Sequence, residues 1–226
     1  MNIRVHHWQD IYAKSDETQV SWYRPHLDMS LRLIDGLKLS ADSAFIDVGA
    51  GRSTLVDDLL ARGFRDVTAL DVSAAALAQS RRRMGLSGDI VRWMNYDVFD
   101  AKLPADRYDV WHDRAVFHFL VNEKEQAEYA EIAARCVRSG GHLLIATFAP
   151  DGPERCSNMT VRRYDAASLA ARFAPDFEPV AEEREQHRTP MGSVQPFTYL
   201  LLRRVEREAD AEPEFDPDTF HDPYAE

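Results

Sequence analysis

Four aspartates close short apolar runs in the first half of the chain: Asp47 in AFIDV, Asp71 in DVTALD, Asp97 in IVRWMNYD and Asp113 in RYDVWHD. The first is followed at once by Gly49-Ala50-Gly51, a turn through which the backbone can come close to a ligand. A pyrophosphate would want a third glycine in the G-x-G-x-x-G spacing and would avoid the Asp47 carboxylate, yet the third position is Thr54. Carboxylates at a glycine turn instead suit a ligand that brings a positive charge and hydroxyl donors. Asp71 falls 24 residues after Asp47, where an acid facing a ribose diol would fall. Any one of these aspartates reads equally well as a cap on the turn that follows it. Four in succession predict a negative rim.

A second group stands beside Asp113. His112, Asp113, Arg114 and His118 lie in WHDRAVFHFL. His112 and Asp113 could activate a hydroxyl or thiol, with Arg114 holding a carboxylate, since histidine is the common base near neutral pH. The alternative is a hydrogen-bonded core histidine beside an Asp–Arg ion pair that orients the loop. His118, inside an apolar run, reads as packing, or as a residue lining the substrate side.

Placing these groups together needs a sheet whose strand ends converge. From about residue 40 short apolar runs alternate with helix-length segments: AFIDV, then STLVDDLLARG; DVTALD, then AAALAQSRRRMG. IVRWMNYD and RYDVWHD follow as strands, EKEQAEYAEIAARCVRSGG as a helix ending in a glycine pair, and HLLIATF as a fifth strand. Such alternation predicts an α/β fold, a Rossmann-like three-layer sandwich around a mostly parallel seven-stranded sheet. After the helix DAASLAARF, the strands FEPVAEERE and PFTYLLLRRV are too close for a crossover and predict a closing antiparallel hairpin. Ligands of open α/β sheets bind beyond the carboxyl ends of the strands, where the aspartates fall.

Three segments result: residues 1–40 as a helical, aromatic lid, 41–205 as the core, and 206–226 as an acidic tail. The tail holds nine acids and one arginine, eight of the net eleven negative charges, and is expected to be disordered. The preface carries Trp8 and Tyr12 four residues apart, then Trp22 and Tyr23 ahead of Pro25. Trp8 and Tyr12 are expected against the outside of the sheet's helices. Trp22 and Tyr23 are expected over the carboxyl edge, where aromatic faces would attract a cation.

The acidic balance and the lack of a basic, aromatic-rich run exclude a nucleic-acid groove. No apolar run reaches the roughly 20 residues needed to cross a bilayer, and no secretory signal opens the sequence. Cys136 and Cys156 form neither a disulfide framework nor a metal-ligand spacing, so no metal is expected and a cytoplasmic setting is.

On these residues the chain resembles the class I (Rossmann-like) S-adenosylmethionine-dependent methyltransferases over roughly residues 40–205. DVGAGRS is similar to the family's first glycine motif, with Ala50 where cysteine is frequent. The resemblance implies that Asp47, Gly49, Ala50, Gly51 and His112 bind S-adenosylmethionine. It implies that Asp71 with Val72 holds the ribose, and that Asp97 and Val98 in NYDVF meet the adenine. CVRSGGHLLIATF resembles the family's helix–glycine pair–strand segment. The W-x3-Y…W-Y preface is loosely similar to those of thiopurine-methyltransferase-like enzymes and of lysine methyltransferases acting on elongation factor 1A and citrate synthase. A small-molecule acceptor attacked at O, N or S is expected. The alternatives are a protein lysine, or a non-catalytic module that only binds the cofactor.

Overall fold

A computed structural model of the chain describes residues 3–16 and 18–206. Two helices come first, α1 (Ile3–Lys14) and α2 (Asp28–Asp35), and then the alternating unit begins. It runs β1 (Ala44–Val48), α3 (Leu55–Ala61), β2 (Asp66–Asp71), α4 (Ala74–Met84), β3 (Arg92–Asn95), β4 (Tyr108–Arg114), α5 (Glu123–Cys136) and β5 (Val137–Phe148). A small hairpin, β6 (Arg155–Cys156) and β7 (Met159–Thr160), precedes α6 (Ala166–Ala170). The long strands β8 (Phe177–Arg188) and β9 (Val194–Arg204) close the chain.

The seven-stranded sheet has the order β3-β2-β1-β4-β5-β9-β8, parallel from β3 to β5 and antiparallel where β9 joins β5 and β8. Order reverses between β1 and β4, so the sheet opens a crevice at their carboxyl ends. Apolar residues of β1, β4 and β5 point alternately to the two faces. One face packs on α2 and α3 through Ile34, Leu55 and Leu59; the other packs on α5 and α6 through Tyr129, Ala133 and Leu169. The three-layer sandwich with its antiparallel hairpin is the expected fold.

Some boundaries differ from expectation. The α5 helix stops at Cys136, and VRSGG belongs to β5. Val137 pairs with Tyr108, and the register then slips before His142 meets Val110. The glycine pair serves that irregularity: a Cβ on Gly141 would lie 2.9 Å from the Arg138 carbonyl and 3.1 Å from that of Asp109. The segment after β5 folds into the β6–β7 hairpin. Ser157 (φ 48°) and Asn158 (φ 62°) form its two-residue turn, both in the left-handed region such turns require. β8 runs three residues past FEPVAEERE to Arg188, far enough for buried His187 to donate from Nε2 to the Ser21 carbonyl at 2.7 Å. The acidic tail expected at 206–226 lies, after Glu206, outside the described residues. Among the described residues no helix is long and apolar enough to cross a membrane.

Candidate active site

At the carboxyl ends of β1, β2 and β4 lies a cleft of about 940 Å³, counting the space open to solvent. Asp71, Val72, Asp97, Val98 and Phe99 line one end of it. Asp71 is buried: its Oδ1 accepts from the Ser73 amide at 2.7 Å and its Oδ2 from the Gly51 amide at 2.9 Å. Burial pushes this carboxyl up to about 6, against the pull of those two amides. Each oxygen keeps a lone pair for a hydroxyl donor. Asp97 stands two residues beyond β3, in a turn closed by the Phe99 amide donating to its Oδ1 at 3.3 Å.

A second cavity of about 500 Å³ adjoins the cleft and is lined by Asp47, Gly49, Ala50 and His112. Tyr12, Trp22, Gly49 and Arg114 line both spaces. Gly51 lines neither. A Cβ there would lie 2.2 Å from the Tyr12 hydroxyl, and one on Gly49 would lie 2.0 Å from Val116 Cγ2. Both glycines also have positive φ, 70° at Gly49 and 49° at Gly51, so other residues would be strained as well as crowded.

Parallel pairing explains what becomes of the WHDR group. Asp47 sits beside His112 and Val48 beside Asp113. Neighbours in register share a face, and successive residues take opposite faces. His112 therefore joins Asp47 on the α2 side, with Nδ1 2.7 Å from Asp47 Oδ1 and Nε2 2.9 Å from Ser30 Oγ. Asp113 points the other way. It accepts from the Val116 amide at 2.8 Å, the Phe117 amide at 3.0 Å and the Tyr129 hydroxyl at 2.5 Å, fully buried against α5. The expected catalytic Asp113 thus orients the loop after β4, and no Asp113–Arg114 ion pair forms among the described contacts.

Arg114 does reach the cleft. Its Nε donates to the Tyr199 hydroxyl at 2.9 Å and its Nη1 to the Trp22 carbonyl at 3.2 Å, with the guanidinium 4.6 Å over the Phe197 ring. Its Nη2, 3.8 Å from Glu185, makes no hydrogen bond. His118 is buried among Phe119 and Phe148, where it accepts the Phe148 amide at 3.4 Å. Burial lowers it to about 3, so it stays neutral.

The aromatic preface departs from expectation in the opposite direction. Trp8 and Tyr12, expected against outer helices, line the cleft together with Trp22. The Trp8 ring lies 5.8 Å from Trp22 and 5.1 Å from Phe119, and Tyr12 lies 6.2 Å from Trp22. Tyr23 faces only the smaller cavity. The α1 helix is tied down by Gln9, whose Nε2 reaches the Val72 carbonyl at 3.5 Å, and by Arg4, paired with Glu125 of α5 at 2.7 Å. Gln9, Tyr12 and Arg52 carried no signal beyond their places on one helix face and directly after the glycine turn. Cys156, on β6, also lines the cleft.

Do these residues fit S-adenosylmethionine? Three buried polar atoms around the smaller cavity make no hydrogen bond: Asp47 Oδ2, Arg52 Nε and Arg114 Nη2. One is an acceptor with negative charge and two are donors with positive charge, the complement of an α-ammonium and α-carboxylate. Asp71 and Asp97 at the far end of the cleft complement hydroxyl and amino donors. The fit is good at both poles.

A family model described as a methyltransferase domain matches residues 45–141. The chain is 20% identical over 149 residues to the mouse eEF1A lysine and N-terminal methyltransferase, covering 63% of this chain and 21% of that protein. It is 28% identical over 116 residues to an uncharacterized methyltransferase of Mycobacterium tuberculosis, covering 51% of this chain and 56% of the relative. Thus it spans about a fifth of the first relative's length and just over half of the second's. Among solved structures, a Burkholderia thailandensis 1,6-didemethyltoxoflavin-N1-methyltransferase with bound S-adenosylhomocysteine superposes with a TM-score of 0.65 at 22% identity, over 89% of this chain and 84% of that one. A protein described in the conversion of a disulfide bond into a thioacetal during echinomycin biosynthesis gives a TM-score of 0.72 at 17% identity, over 89% and 93%. Glycine motif, strand-end carboxylates and sheet order agree with the match: residues 45–141 carry a methyltransferase domain on a class I, Rossmann-like fold, and the two cavities fit S-adenosylmethionine as its cofactor.

Proposed function

We propose that the protein transfers a methyl group from S-adenosylmethionine to a nucleophilic N, O or S atom of a small molecule. The observation that carries this reading is the wall of the cleft beyond Asp71 and Asp97. Trp8, Trp22, Phe119, Phe148 and Phe197 line it, and α1 with the Trp22 segment acts as a lid. A covered, aromatic pocket suits a compact, flat, largely apolar acceptor.

When bound, the cofactor supplies a methyl group on a positively charged sulfur. The chain's own part is to hold the acceptor in line and keep water out. Residues 47, 71 and 97 would hold the cofactor, with Arg114 toward its carboxylate. No histidine lines the cleft among the described residues. Tyr12 does, but burial and the nearby Asp71 raise its hydroxyl well above 10, so it stays protonated and offers no phenolate base. The acceptor therefore brings its own lone pair, as a neutral amine, a thiolate or an acidic hydroxyl.

The toxoflavin-precursor N1-methyltransferase supports this reading, because its likeness includes nearly the whole chain. A protein lysine or N-terminus is the second reading, favoured by the eEF1A methyltransferase relatives, though they align with only 63% of this chain. The net charge of −11 opposes a nucleic-acid acceptor, and two free cysteines suit a reducing cytoplasm. A screen of planar amines, phenols and thiols, read as release of S-adenosylhomocysteine, tests the proposal. Turnover with any class supports it. Cofactor binding without turnover on small acceptors or lysate protein would support a non-catalytic module.

A further inference from the structure

His112 occupies the middle of a buried chain. Ser30, His112 and Asp47 are 0%, 2% and 3% exposed. One neutral tautomer satisfies both contacts, with Nδ1–H donating to Asp47 Oδ1 at 2.7 Å and Nε2 accepting the Ser30 hydroxyl at 2.9 Å. The order and spacing are those of a hydrolytic Ser-His-Asp triad. Access rules out that chemistry here: Ser30 lines neither the cleft nor the adjoining cavity, so no substrate carbonyl can meet its oxygen.

The chain of hydrogen bonds ends instead on a carboxylate with one oxygen left over. Asp47 Oδ2 is buried and makes no hydrogen bond, and Asp47 lines the smaller cavity. A buried carboxylate oxygen without a donor is costly unless something else completes it. Arg114, whose Nη2 makes no hydrogen bond and lies 3.8 Å from Glu185, lines that cavity too. The cavity therefore presents one acceptor and one donor of opposite charge that make no hydrogen bond.

We infer that His112 is a positioning residue for the cofactor's amino-acid end. By holding Asp47 Oδ1, it turns Oδ2 toward an α-ammonium group; Ser30 in turn fixes the imidazole from α2. The first glycine motif is thereby set by a helix of the N-terminal segment, which lies outside the alternating core. This inference rests on the assignment of S-adenosylmethionine as cofactor, and it makes no use of the acceptor.

Calorimetry with two probes tests it. S-adenosylhomocysteine carries the amino-acid end; 5′-methylthioadenosine keeps the adenosine and lacks that end. His112→Gln can still reach Ser30 but removes the donor to Asp47. It should weaken S-adenosylhomocysteine about tenfold or more while leaving 5′-methylthioadenosine within about twofold. His112→Asn, which keeps a donor near the Nδ1 position, should stay within about threefold of wild type for both. Should the Gln variant fail to fold, Asp47→Asn and Ser30→Ala carry the same comparison. Each should lose affinity for the first probe selectively, Ser30→Ala by the smaller factor. Equal loss for both probes, or no loss for either, overturns the inference while the cofactor assignment stands. Wild-type protein that binds neither probe overturns both.

Discussion

Arg52, directly after the second glycine, donates from Nη2 to the Tyr12 carbonyl at 2.7 Å and lays its guanidinium 5.0 Å over the Tyr12 ring. Its Nη1 also donates to the Ser15 carbonyl at 3.1 Å, and its Nη2 to the Ser15 hydroxyl at 3.0 Å. One side chain thus satisfies backbone oxygens at the end of α1, which would otherwise lack partners. It also locks that helix to the Gly49–Gly51 turn. Hydrogen bonds from a charged donor contribute about 1.5–3 kcal/mol each when buried. Arg52→Ala should therefore lower the melting temperature and speed proteolytic cleavage within residues 3–16, with weaker binding of S-adenosylhomocysteine. Unchanged protease sensitivity would show that α1 is held by other contacts.

Cofactor affinity should fall in mild acid. Ionised Asp71 presents acceptors on both oxygens, whereas protonation turns one of them into a donor, and burial places its carboxyl at about 6. Lowering the pH from 7.5 to 5 protonates it, so S-adenosylhomocysteine should bind more weakly as pH passes through about 6. The sign for folding is opposite. A carboxyl raised above its unfolded value of 3.8 takes up a proton on folding below about pH 6, so this group's contribution to stability grows as pH falls through that window. Calorimetric titrations at several pH values check the first statement. Asp71→Asn should bind weakly at every pH and flatten the profile.

Trp22 and Tyr23 should separate cleanly. Trp22 lines the cleft in edge-to-face contact with Trp8 and Tyr12, whereas Tyr23 faces only the smaller cavity. Trp22→Ala should cut turnover about tenfold or more, by opening the lid to water. Tyr23→Phe should remain within about twofold. Steady-state kinetics beside melting curves make the comparison. Loss of activity that follows loss of stability in the Trp22 variant would mark the residue as core rather than lid.

Asp113→Asn should be a stability variant. The carboxylate takes three donors, from Val116, Phe117 and Tyr129, and Tyr129 in turn accepts Trp111 Nε1 at 3.0 Å. Hydrogen bonds to a buried charge contribute about 1.5–3 kcal/mol each, and the amide, with one acceptor oxygen fewer, should lose about that much. Denaturant unfolding should report that loss, while the pH dependence of kcat/KM keeps the wild-type shape. A changed pH profile with stability intact would return Asp113 to the chemistry.

Much of the fold was legible because its signals are local. Each strand from AFIDV to HLLIATF is a short apolar run closed by a turn residue, and the acids at the first three ends reach the two cavities. What a single strand cannot declare is its register. His112 and Asp113 look alike as candidates in YDVWHDR, and only the pairing of Asp47 with His112 sends one toward α2 and the smaller cavity and the other toward α5. The α5–β5 boundary was hidden for a similar reason. VRSGG reads as a helix end until its pairing with the start of β4 is known. The spacing of Trp8 and Tyr12 marked one helix face, but not the surface that face would meet. The partners that dock it, Arg52 and Val72, directly follow the glycine turn and the end of β2.

Transfer of radiolabelled methyl from S-adenosylmethionine in a cell extract, separated into low-mass and protein fractions, tests the central claim most directly. Labelled product in the low-mass fraction, lost with Asp71→Ala, is the outcome expected of a small-molecule methyltransferase. Label confined to protein, with none in the low-mass fraction, would contradict it.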